Sequence, residues 1–277
     1  MPIKRIYQVA DVHIPTYQRL EMYSVQLEKL IESISNDANS SGLEMDEMRI
    51  VICGDLVNSK NNVTNELNVF ASTFIRRLEE VAKVICIAGN HDLIEGNTSR
   101  TDTLTAIFQT AQFQNSVFLD YELGYNSGIV YDDNVTWALY SFYDDFMRPD
   151  IENAREEKPN NTVIGLYHGQ IVGSKMFNGF VSDSGQGADT FKGCDVVMAG
   201  HIHKRQVIEK QGVKIVYSGS VVQKDYGESI TQHGYAVWDL DSMEFEFIDI
   251  PSDYSYYDFS VNSMEDIENG LERLNNY

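Results

Sequence analysis

Positive charge is scarce in this chain. Its 277 residues carry 21 lysines and arginines against 42 aspartates and glutamates, a net charge of −21. A surface that acidic repels phosphate backbones and argues against general affinity for nucleic acid. Any dealing with nucleic acid must then rest on bound cations, a local basic patch or a partner subunit. Cysteine is scarce too: Cys53, Cys86 and Cys194 make an odd count with no metal-type pairing. Two of them lie inside apolar runs, which points to reduced, buried thiols and no disulfide. No apolar run reaches the roughly 18 residues a membrane helix needs. The start, Met1-Pro2-Ile3-Lys4-Arg5, enters a strand directly and lacks the apolar stretch of a signal peptide. There is no internal repeat. What remains is 43% hydrophobic and long enough for one large domain, alone or with an appendage.

The pattern that is present centres on Ile50-Val51-Ile52-Cys53-Gly54-Asp55-Leu56-Val57-Asn58. A short apolar run reads as a buried strand, and it stops abruptly at Gly54-Asp55. Open α/β sheets place ligands just outside the carboxyl ends of their strands. One Gly-Asp there is ordinarily a turn, but the same grammar recurs at Asp11/His13, Asn90/His91, His168 and His201/His203. Residues 3–10, 49–53 and 84–88 read as strands, separated by helical spacing over 17–36 and 65–82. That is the pattern of parallel βαβ units. The second half is richer in strands: 117–119, 129–131, 135–142, 163–167, 196–199, 214–217, 235–239 and 244–250. Residues 144–161 read as a loop or exposed helix, and 169–189 as a Gly/Ser/Asp-rich connection near the site. After Pro251 the texture changes to a tyrosine-rich stretch followed by a helical pattern at Met264, Ile267, Leu271 and Leu274.

Collected together, the strand exits supply Asp11, His13, Asp55, Asn90, His168, His201 and His203. Asp-x-His and His-x-His spacing would put both side chains of each pair on one side of an extended backbone. Two carboxylates, one amide and four imidazoles suit a pair of borderline-hard divalent ions, with Mn²⁺, Fe²⁺ or Zn²⁺ favoured over Ca²⁺. The two oxygens of Asp55 could serve both. Two such ions roughly 3.5–4 Å apart form the clamp used to hydrolyse phosphate esters. A lone histidine in an apolar context is ordinarily a satisfied core residue. Here five of six histidines fall at strand exits and only His233 does not.

Asp11-Val12-His13, Gly54-Asp55-Leu56-Val57-Asn58, Gly89-Asn90-His91-Asp92, His168 and Gly200-His201-Ile202-His203 resemble, in order, the five motifs of the calcineurin-like metallophosphoesterases. The stretch from Ser218 to Glu228, continued by Gln232-His233-Gly234-Tyr235, is similar to the segment after the last motif in SbcD-type nucleases. Those are the nuclease subunits of double-strand-break repair and phage recombination complexes. The resemblance implies one metal held by Asp11, His13, Asp55 and His203, and another by Asp55, Asn90, His168 and His201. It implies a water between the ions that attacks phosphorus in line. It casts His91 as the group that protonates or stabilises the leaving 3′ oxygen, and Asp92 could hold the other ring nitrogen of His91. Asn58 stands where relatives often place His or Asp in contact with substrate. Lys204 and Arg205, beside the last motif, are candidates to meet phosphate.

The implied fold is α/β, a four-layered α-β-β-α sandwich of two mixed sheets flanked by helices over residues 1–250. Residues 251–277 would begin a small α+β capping domain, cut short of the family's length. The implied function is a DNA nuclease, a 3′→5′ exonuclease and single-strand endonuclease. It would use two divalent ions, Mn²⁺ first and Mg²⁺, Fe²⁺ or Zn²⁺ as possible substitutes. Its expected partners are DNA ends and single strands, an SbcC-type ABC ATPase subunit and a second copy of itself, with no membrane. The expected location is the cytoplasm, or a host's cytoplasm if the chain is phage-encoded. The rival reading is another binuclear phosphoesterase, acting on cyclic nucleotides or protein phosphates. Against the protein-phosphatase version, Gly54-Asp55 lacks a following Asp-Arg-Gly and Asn90-His91 is followed by Asp92 rather than Glu.

Overall fold

The computed structural model describes residues 1–59, 63–93, 100–258 and 260–274. The N-terminal half lays down parallel strands β1 (Arg5–Val9), β2 (Met48–Cys53), β3 (Lys83–Ile87) and β4 (Ser116–Phe118). The first three gaps are crossed by helices α1 (Leu20–Ser41), α2 (Asn65–Glu79) and α3 (Thr103–Ala111). Thr64 caps α2 and Asp102 caps α3, each through its side-chain oxygen. A one-turn α4 (Leu119–Glu122) follows β4. The chain then builds a second sheet from β5 (Gly128–Asp132), β6 (Val135–Tyr140), β7 (Thr162–His168), β8 (Val196–Gly200), β9 (Gln206–Lys210) and β10 (Val213–Tyr217), with α5 (Ile151–Glu157) between β6 and β7. It returns to the first sheet with β11 (Gly234–Asp239) and β12 (Glu244–Asp249), and α6 (Met264–Leu274) follows.

The sheets are β12-β11-β1-β2-β3-β4 and β5-β6-β7-β8-β10-β9, each mixing parallel and antiparallel neighbours. Side chains alternate across every strand, and that alternation writes the layers. On β2, Ile50 and Ile52 face the helices with Leu30, Phe74 and Leu78, whereas Val51 and Cys53 face the other sheet. On β7, Ile164 and Leu166 meet that inter-sheet core, while Val163 and Tyr167 turn outward to Phe191 and Ile151. Strands with both faces covered are continuously apolar, which is why they stand out in the sequence. Both tryptophans, Trp137 and Trp238, are fully buried between the sheets. The expected four-layered sandwich is the one observed.

A polar staple crosses the middle. Gln8, at 0% exposure in β1, donates from Nε2 to the carbonyls of Val216 (2.8 Å) and Ala199 (3.3 Å) in the second sheet. Its Oε1 accepts from the indole of Trp238 at 3.0 Å. Gln8→Leu conserves bulk yet strands one donor and two acceptors in a dry core. Each costs about 1–3 kcal/mol, so we expect a loss of at least about 3 kcal/mol, read as a lower urea midpoint with unchanged slope.

Two elements depart from the sequence reading. β9, where only Ile208 is buried among Gln206, Val207, Glu209 and Lys210, carries no strand signal in the sequence, yet it is an edge strand that pairs antiparallel with β10 through a left-handed Gln211-Gly212 turn. α3 carries no periodic stripe long enough to be noticed. Among the described residues, no helix is long and apolar enough to cross a membrane.

Candidate metal centre

The site forms where the carboxyl ends of five strands from both sheets meet. After β1 the chain turns through Asp11 and His13, after β2 through Asp55, and after β8 through His201, all with positive φ (51°, 52°, 52° and 93°). The Asp-x-His and His-x-His pairs therefore do not lie along extended backbone as expected. Their side chains converge because the backbone curls at Asp11, His13 and His201, a strain of the kind held at functional sites. The curls support one another: His13 N–H donates to the Asp55 carbonyl (2.9 Å) and Asp11 N–H to that of Gly54 (3.1 Å). Glycine is required where the sheets approach. A Cβ on Gly54 (φ +85°) would collide with the His168 ring, and one on Gly200 with the Cys53 carbonyl.

All seven candidate ligands come together. In one group, Nε2 of His13 lies 2.9 Å from Nε2 of His203, 3.6 Å from Oδ2 of Asp55 and 3.9 Å from Oδ1 of Asp11. In the other, Nε2 of His168 lies 3.4 Å from Oδ1 of Asp55 and 3.2 Å from Oδ1 of Asn90, and Nδ1 of His201 lies 2.9 Å from the same amide oxygen. Asp55 thus turns one oxygen to each group.

The outer ring nitrogens fix the tautomers. His168 Nδ1–H donates to the Cys53 carbonyl (2.8 Å) and His203 Nδ1–H to Glu228 (2.6 Å), so that both Nε2 atoms are aimed inward. Burial keeps His13 neutral by pushing its pKa well below the ordinary value, and pushes that of His201 down to about 4. Nε2 of His13 and Nε2 of His203, 2.9 Å apart, share a single proton, in a place a cation would take. Burial works against a charged His168, yet the Asp55 carboxylate outweighs it and raises the pKa to about 9. A proton there occupies a place a divalent ion would take, so binding releases it. The buried donor set of nitrogen and oxygen atoms fits two divalent cations.

A family model of the calcineurin-like phosphoesterase superfamily domain matches residues 5–243. The chain belongs to this superfamily. Calcineurin-like phosphoesterases work with paired divalent metals, and the two donor groups accommodate such a pair. One relative is an uncharacterized protein, R555, of Acanthamoeba polyphaga mimivirus, 31% identical over 261 residues. The alignment covers 92% of this chain and 18% of that much longer protein.

Around this centre, other expected residues fall differently. His91 stands beside the first group, its ring edge-on to His13 at 4.9 Å. Its Nδ1–H donates to the Asn58 carbonyl (2.8 Å), so the contact expected from Asp92 is not made. Asp92 instead accepts the backbone N–H groups of Gly89 (2.8 Å), Val57 (3.0 Å) and Leu56 (3.3 Å), pinning two motif loops together. Burial, with the Asp55 charge behind it, pushes the Asp92 carboxyl up to about 8. The Asn58 side chain is engaged with the Lys224 ammonium. Lys204 lines a recess of about 360 Å³ next to His201 and His203, its ammonium 5.9 Å from the Phe177 ring. Arg205 turns away, paired with Asp249 and 5.3 Å over the Phe247 ring, so it is not held for phosphate. His233 is a structural histidine, bonded to Ser220 and the Ser229 carbonyl.

Lys224 and Glu228 are not singled out by the sequence. Burial drives the Lys224 ammonium down to about 8 against the pull of Glu228, Asp55 and Asp11. No spacing rule ties either residue to the motifs; the similarity across Ser218 to Glu228 is the available signal.

Proposed function

We propose that this phosphoesterase is a Mn²⁺-dependent DNA nuclease, with 3′→5′ exonuclease and single-strand endonuclease activity. The observation that carries the diester part is that recesses lie on two sides of the centre. His201, His203 and Lys204 border one, and Lys224 and Asn58, whose carbonyl holds His91, border the other. A phosphodiester has two ester arms and needs room for both, whereas a monoester needs one. The nuclease assignment is supported by the likeness of the Ser218 to Glu228 stretch, whose Glu228 backs His203 and whose Lys224 reaches Asn58.

When bound, the two ions supply an activated water and neutralise the phosphoryl oxygens. Asp11, His13, Asp55 and His203 would hold one, and Asp55, Asn90, His168 and His201 the other. His91, with Nδ1 committed to a carbonyl, has Nε2 free to carry a proton to the leaving 3′ oxygen as the P–O3′ bond breaks, leaving a 3′ hydroxyl and a 5′ phosphate. Residues 251–277 begin a capping domain in this reading. A second copy and an SbcC-type ATPase complete the assembly, and the partner supplies the DNA affinity that a net charge of −21 withholds.

The test is digestion of 3′- and 5′-end-labelled duplex and single-stranded DNA with Mn²⁺. Mn²⁺-dependent loss of label from the 3′ end is expected. Intact DNA alongside hydrolysis of a cyclic nucleotide would replace the nuclease by the rival phosphoesterase.

A further inference from the structure

Beside the metal centre, on the Asn58 and Lys224 side, lies a recess of about 790 Å³. That is within the range of pockets built for small ligands. We propose that it is a nucleoside pocket, taking one base of the strand whose neighbouring phosphate sits at the ions. The proposal rests on the nuclease reading and specifies how substrate is gripped.

Its walls are unlike the rest of the molecule. In a chain with twice as many acids as bases, two cations, Arg19 and Lys224, line it. The one acid among the lining residues, Asp253, is already paired with Lys29 at 2.8 Å. The Arg19 guanidinium lies 4.9 Å over the ring of Tyr256, and the Tyr226 ring meets Tyr256 at 5.0 Å and 62°. Tyr254 stands on the same rim, 46% exposed. Flat guanidinium and phenol faces are what bases stack on, whatever their identity. Arg19 reaches Tyr256 from a left-handed backbone (φ 63°) at the start of α1 and makes no capping bond. Strain of this sort persists where the surroundings hold it.

The outer wall is fastened. The Gln223 side chain pairs with the backbone of Tyr256 in both directions, accepting from its N–H (2.6 Å) and donating to its carbonyl (2.9 Å). Gln26 donates to the Ile250 carbonyl (2.9 Å) and Lys29 to that of Pro251 (3.1 Å), tying the segment to α1. Lys224 lines this pocket, and Asn58, which it contacts, holds His91 through its carbonyl. A phosphate at the centre with its nucleoside in the recess would run past the Lys224 ammonium. Ring faces, an anion-facing cation and a tethered wall together define a nucleotide's shape.

The test compares Mn²⁺-dependent cleavage of dithymidine monophosphate with two analogues, each lacking one base. Loss of one base raises KM about tenfold and loss of the other much less, because a single stacked base is worth that much. In Arg19→Ala and Tyr256→Ala that difference shrinks towards unity, and Tyr256→Phe keeps it. Thymidine 5′-monophosphate, titrated calorimetrically, binds the wild type and binds Tyr256→Ala about tenfold more weakly. Equal KM for all three diesters, or wild-type thymidine 5′-monophosphate affinity in Tyr256→Ala, overturns the pocket. Should no diester be cleaved, the nuclease reading fails, and the thymidine 5′-monophosphate titration still decides the pocket.

Discussion

His91→Ser protein is expected to bind two Mn²⁺ ions per chain as the wild type does, while hydrolysing bis(p-nitrophenyl) phosphate about 10²–10⁴-fold more slowly. The expectation follows from the ring's two nitrogens. Nδ1–H is spent on the Asn58 carbonyl, which fixes the ring with Nε2 towards the centre, and the four donors of the first group are complete without it. Serine leaves the Asn58 carbonyl to water at the edge of a recess, a small cost. His13, Asp55 and His91 nonetheless present donor atoms within 4.8 Å of one another, so ligation by His91 is a definite alternative. Metal content separates the two: loss of one ion from His91→Ser makes His91 a ligand and removes it from proton transfer.

Asp55→Asn should be more damaging. The amide keeps the shape and an oxygen for the His91 N–H, which Asp55 Oδ1 accepts at 2.8 Å, so the loop stays in place. What disappears is the charge shared by both donor groups. The second group would then offer a divalent ion two amides, the substituted one and that of Asn90, with two imidazoles and no carboxylate at all. Elemental analysis after dialysis should give fewer than one ion per chain, with diester hydrolysis at the level of the metal-free protein. The gain in melting temperature that Mn²⁺ gives the wild type should vanish as well, since that gain measures binding to the folded state. Two ions retained by Asp55→Asn would remove Asp55 from its bridging place.

How much of this is legible in the sequence depends on how the signal is carried. β2, β3, β7 and β8 are readable because strands buried on both faces are unbroken apolar runs, and their ends are marked by Gly-Asp, Asn-His, His and Gly-His. The set of seven donors is therefore visible as a list. Its geometry is not. Spacing alone puts Asp11 and His13 on an extended backbone, whereas tertiary contacts with the Gly54–Asp55 turn bend both into the left-handed region. Asp92 adjoins His91 in sequence, yet backbone N–H groups from the neighbouring loop claim its carboxylate, an outcome local reasoning cannot weigh. Lys224 and Glu228 come from a loop beyond the last motif. They reach the site only because β10 returns the chain to its rim before β11 crosses back to the first sheet. The tyrosines near the C-terminus read as a change of texture, and their meeting with Arg19 depends on the tether through Gln223.

The two sheets share no strand, and the donors are divided between them: Asp11, His13, Asp55 and Asn90 follow strands of the first, and His168, His201 and His203 follow strands of the second. During synthesis the ribosome delivers the first four long before the rest. A nascent chain ending short of β7 offers two carboxylates, an amide and a single ligand imidazole, too weak a set to hold two ions in order. The donor set is thus complete only when β8 docks and the last turn closes, and Glu228, later still in the chain, orients His203. The donor set is in this way divided along the chain, and neither sheet holds it alone.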